Sequence, residues 1–72
     1  MSENTLRGAI EAILMVASEP VAASDLADVL GVSTADIEQH LRALAAEYLG
    51  EGQERPRGFE LREVAGGWRI YS

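Results

Sequence analysis

The chain has 72 residues, no cysteine and a single histidine, His40, which excludes a disulfide framework and a structural zinc site built from Cys and His. Its 12 acids against 6 arginines, with no lysine, give a formal charge of -6 and argue against a polyanion as the main ligand. So short a chain buries only about 60% of the surface that it exposes when unfolded, and with neither disulfide nor metal a partner surface is the remaining source of stability.

The first helix is expected over residues 4–17, with Asn4 or Thr5 offering an oxygen to an orphan N–H at its start. Leu6, Ile10, Ile13, Leu14 and Ala17 form a stripe at helical spacing. Nine of the twelve residues from Leu6 to Ala17 are apolar, far more than the single apolar face that a surface helix needs. One side packs within the domain. The other, with Ala9, Ala12, Met15 and Val16, is expected to meet a partner. Pro20 ends this helix, because the residue before proline disfavours the α conformation.

A second helix is expected over residues 23–30, with Leu26, Val29 and Leu30 on its buried edge. Ser24 is its obvious cap; Ala22 suits the register better but has no side-chain acceptor. Gly31 closes it in a left-handed conformation. In the next segment Ser33 caps a third helix from Thr34, Asp36 sits three residues on, and Val32 with Ile37 makes a hydrophobic staple. The core stripe of that helix is Ile37, Leu41, Leu44, Tyr48 and Leu49, and Gly50 stops it. Two helices joined by a tight turn at Gly31 make a helix-turn-helix, with the first helix as the third wall of the core.

Residues 50–58 read as a loop by their Gly, Pro and charge content. Phe59 to Arg62 alternates as a half-buried strand does, with a bulge or twist expected near Glu63 where Val64 breaks the alternation. Ala65-Gly66-Gly67 is the expected turn. Trp68 to Tyr71 is the return strand, with Trp68 and Ile70 on one face and Arg69 and Tyr71 on the other. Phe59 and Trp68 are expected in the core, whereas Tyr71 is a candidate interface residue. The fold class is therefore mostly α with a small β-hairpin: a winged helix-turn-helix of three helices plus a wing. The chain stops directly after this strand, and it reads as one domain, a fragment of a longer protein.

No catalytic constellation is visible. A nucleophile with its base, a carboxylate pair or a ligand set has to converge, and the sequence offers none, so the chain is not expected to be an enzyme and needs no cofactor or metal. His40 reads as a boundary residue beside the core stripe. Asp25 and Asp36 read as charges at helix N-termini, and with Asp28 and Glu38 they show no calcium-loop spacing. Gly66-Gly67 lacks the following helix that a phosphate cradle requires. Nucleic acid is the serious competitor, since a winged helix usually inserts its second motif helix into the major groove. Here residues 24–49 carry five acids and one base. Only the wing arginines Arg55, Arg57, Arg62 and Arg69 offer weak phosphate contacts, in the alternative reading of a DNA-binding transcriptional regulator. The first helix has no run long enough to span a bilayer, and no basic segment opens the chain, so the expected location is the cytoplasm.

Three stretches carry a family resemblance. Ile10 to Val21, an apolar helix broken by Ser18-Glu19-Pro20, resembles the opening of bacterial segregation and condensation protein B. Leu26 to Val32 resembles its next segment. Phe59 to Arg69 looks like its wing, most recognisably in Val64-Ala65-Gly66-Gly67-Trp68-Arg69. Ala22 departs from the family, which tends to place a capping hydroxyl there, and family members resemble two winged-helix domains in tandem. The resemblance implies a non-enzymatic subunit of the bacterial SMC–kleisin condensin complex, acting in chromosome condensation and segregation during cell division. It also implies homodimers paired largely through this domain. The implied partner is the kleisin, segregation and condensation protein A, which bridges the heads of the SMC ATPase, and the implied location is the nucleoid, reached through the complex. Ala9, Ala12, Met15, Val16 and Tyr71 are the candidate dimer residues.

Overall fold

In a computed structural model residues 2–49 and 59–71 are described, in the order α1 (Glu3–Val16), α2 (Ala23–Leu30), α3 (Thr34–Tyr48), β1 (Glu60–Val64) and β2 (Gly67–Tyr71). The expected loop over 50–58, with Gly50, Arg55 and Arg57, lies outside the described residues. Side chains from all five elements share one core, in which Ile10, Ile37 and Leu41 are fully buried and Leu61 and Trp68 close the hairpin side.

The helix boundaries follow local chemistry. Helix α1 is capped by Ser2 rather than by Asn4 or Thr5: the Ser2 hydroxyl accepts from the Thr5 N–H at 3.2 Å. The cap lies outside the apolar stripe, so periodicity alone places it late. The N-cap of α2 is Ala22, which makes no side-chain cap bond, and Ser24 sits inside the helix. Gly31 ends it at φ 71, and its N–H donates to the Ala27 carbonyl at 2.8 Å. Helix α3 begins as expected, with Ser33 Oγ accepting from Asp36 N–H at 3.1 Å and with Val32 and Ile37 both packed in the core.

Two apolar residues of the expected helical stripes differ from expectation. Val29 is 74% exposed and Leu49 is 62% exposed. Helix α2 has only 8 residues, and it turns Leu26 and Ala27 inward, leaving Val29 outward. Leu49 lies past the last residue of α3, where the chain leaves the helical stripe.

The hairpin is regular. Glu60 pairs with Tyr71, Leu61 with Ile70, Arg62 with Arg69, Glu63 with Trp68 and Val64 with Gly67, so no bulge interrupts it at Glu63. Only Ala65 and Gly66 form the turn, at φ 48 and 79. Positive φ at both central residues is the requirement of a type I′ turn, whose twist matches that of the strands. Gly67 is paired instead, and its lack of a side chain serves a close approach: a Cβ there would lie 2.9 Å from Pro20 Cβ and 3.0 Å from Val21 N. That approach lets Val21 and Trp68 exchange backbone hydrogen bonds of 2.9 and 2.8 Å, adding the α1–α2 connector to the outer edge of β2. Phe59 is less buried than expected, 38% exposed, with its ring 6.0 Å from that of Tyr48.

Two polar contacts tie α1 to α3. Tyr48 Oη donates to Glu11 Oε2. Arg7 Nε donates to His40 Nδ1 at 3.2 Å. His40 is thus deeper than a boundary residue, at 7% exposure.

Candidate functional site

The sequence-derived candidates fall on two separate surfaces. The first is the outer face of α1. At about 100° per residue, Ala9, Ala12 and Val16 lie within roughly 60° of one another round the helix, and Met15 follows a further 60° or so away. Leu6, Ile10 and Leu14 occupy the opposite, buried side. Ala12, Met15 and Val16 are exposed and Ala9 is half-buried. Val16 is the most exposed large apolar side chain among the described residues, at 84%, and Met15 stands at 43%.

The second surface is the face of the hairpin that carries Tyr71 with Glu60, Arg62 and Arg69. Arg62 and Arg69 each place their guanidinium carbon 5.6 Å from the centroid of the Tyr71 ring. Arg62 also donates to Glu60 on the same face. Direct opposition of the two arginines is a feature that the residue pattern alone does not bring out. It follows once the turn is limited to Ala65-Gly66, because the register then forces Arg62 against Arg69. A three-residue turn with a bulge hides it.

The helix-turn-helix presents a different chemistry. At the start of α3 Thr34, Ala35, Asp36 and Gln39 are exposed, and Glu38 lies 3.9 Å from Arg42. Asp25 and Asp28 are exposed on α2. Base edges in a major groove are read chiefly by Arg, Lys, Asn and Gln, and of these this region displays only Gln39 and Arg42. Among the described residues no three His, Asp or Glu side chains converge to hold a metal, and no helix is long and apolar enough to cross a membrane.

Three helices around one core, a helix-turn-helix turned at Gly31 and an antiparallel hairpin strapped to the first connector define a winged-helix domain. A family model described as "Segregation and condensation complex subunit ScpB" matches residues 8–72. The chain belongs to that family. It is 39% identical over 64 residues to segregation and condensation protein B of Desulforamulus reducens, covering 89% of this chain and 33% of the relative. The same protein of Moorella thermoacetica is 39% identical over 67 residues, covering 93% and 32%. The crystal structure of ScpB from Mycobacterium tuberculosis superposes with a TM-score of 0.86 at 29% identity, over 100% of this chain and 42% of that one. A conserved hypothetical protein from Chlorobium tepidum shares the fold, with a TM-score of 0.75 at 21% identity over 97% and 42%. The chain therefore spans about a third of the length of the curated relatives it matches.

Proposed function

We propose that this chain is a non-enzymatic, homodimerising domain of a bacterial SMC–kleisin complex that condenses and segregates chromosomes during cell division. It is the first of two winged-helix domains, and it works in the cytoplasm at the nucleoid. The observation that carries the reading is the outer face of α1, where Val16 is 84% exposed and Met15 43% exposed on a helix whose opposite side is already buried. Apolar residues clustered on one face of a helix, rather than scattered singly, are the mark of an interaction surface. A second copy presents the same face, and a two-fold contact is self-complementary by construction. Pairing through α1 leaves the rest of the surface free for the kleisin subunit, segregation and condensation protein A, and through it for the SMC ATPase. The membership of the family supports this reading, as does the acidic helix-turn-helix, which disfavours a groove-reading role.

The test is the solution mass of residues 1–72 by light scattering across a concentration series, with Val16→Glu beside the wild type. A wild-type dimer that Val16→Glu converts into a folded monomer, judged by circular dichroism, is the expected outcome. A wild-type monomer at all concentrations, or a Val16→Glu dimer, rules the α1 face out.

A further inference from the structure

Two guanidiniums oppose each other on the outer face of the hairpin. Arg62 stands directly across from Arg69 in the ladder, and like charges so placed destabilise an antiparallel pair. The chain offsets part of the repulsion, since Arg62 bonds to Glu60 and both arginines share the Tyr71 ring. Among the described residues no carboxylate pairs with Arg69, which is half-buried against the sheet. A hairpin selected for stability alone would carry opposite charges at these two positions. A local rule broken without an internal partner is what a binding surface looks like.

We propose that this face docks a carboxylate-bearing segment of a partner protein, with an Asp or Glu side chain held between Arg62 and Arg69 beside the Tyr71 ring. Guanidinium is planar, permanently charged and matched to carboxylate in a two-point contact. The aromatic ring holds both forks in place before the ligand arrives, which lowers the ordering cost of binding. Arg and Tyr are also the side chains that most often anchor protein interfaces. A carboxylate on protein fits better than phosphate on nucleic acid. The chain carries -6 overall. A duplex brings a charge about every 1.7 Å along its axis, so many phosphates would meet the acidic helix-turn-helix, whereas a short peptide segment brings only a few charges. This face shares Tyr71 with the candidate dimer residues and no residue with the α1 outer face, so peptide binding and solution mass report docking and pairing separately.

The experiment titrates the full 72-residue chain with a fluorescein-labelled hexaglutamate peptide at low salt, followed by anisotropy. A hexathymidylate of comparable charge is titrated in parallel, and amide chemical shifts are mapped with the peptide. Saturable peptide binding is expected, with shift changes centred on residues 60–71 and roughly tenfold weaker affinity in Arg69→Glu. That variant places a carboxylate opposite Arg62, so its thermal midpoint should not fall, which separates lost binding from lost fold. Arg62→Gln at unchanged midpoint should weaken binding too. No saturable binding, unchanged affinity in both variants, shift changes on α2 and α3 instead, or tighter binding of the oligonucleotide would each overturn the proposal. Solution mass measured on the same samples reports pairing independently.

Discussion

Gly67 carries more of the architecture than its size suggests. It lies where β2 passes the Pro20–Val21 backbone, and a single added carbon at 2.9 to 3.0 Å from those atoms has nowhere to go. Two of the three nearest atoms are main chain, so a side-chain rotation cannot relieve the contact. Gly67→Ala is expected to destabilise the domain by about 1–3 kcal/mol, the usual cost of forcing an atom into a packed site, read as a lower thermal midpoint. Nothing in the residue pattern separates Gly67 from Gly66 as the turn glycine. The two differ in tertiary surroundings: Gly66 needs its freedom for φ 79, Gly67 for the closeness of the α1–α2 connector.

Among the elements, α2 is the least secured. It has two turns and an Ala at its N-cap, whereas α1 and α3 both have serine caps whose hydroxyls accept backbone N–H groups. The Ala22 backbone already has the extended cap conformation, φ -69 and ψ 142. Ala22→Ser therefore supplies the missing oxygen without moving the chain and is expected to add about 1 kcal/mol, checked by urea denaturation. The helices were largely legible because their ends are written in chemistry that acts locally: Pro20, Gly31 and the Ser33–Asp36 pair. The facing of α2 was not legible. In eight residues the apolar positions Leu26, Val29 and Leu30 fit either of two stripes, and only the position of α3 decides that Leu26 and Ala27 go in and Val29 stays out. The α1 candidates were legible as an apolar excess. The arginine pair was not, because cross-strand opposition depends on where the turn falls, and one residue of error in the turn changes every partner.

At the scale of the whole molecule, charge sets the sign of the salt response. Two copies of a chain with charge -6 repel each other at long range, and added salt screens that repulsion. Pairing through an apolar α1 face should therefore tighten as ionic strength rises from about 0.01 to 0.15 M, seen as a lower dimer dissociation constant by sedimentation. Contacts to a phosphate backbone respond in the opposite sense, weakening steeply with salt, so the direction of the change separates the two modes of association. Docking of an acidic peptide on the hairpin, being a charge contact, also weakens with salt and can be distinguished from pairing in the same series.

The Val21–Trp68 bridge has a consequence for motion. A free two-stranded hairpin is marginal in water, and on its own a wing would open and close as a flap. Here the reciprocal bonds between Val21 and Trp68 clasp β2 to the connector that leaves α1. Opening the wing therefore frees the α1–α2 connector at Val21 as well, and two stretches remote in sequence become a single cooperative unfolding unit. Closing that clasp draws together parts of the chain that are distant in sequence, which places the step late in folding.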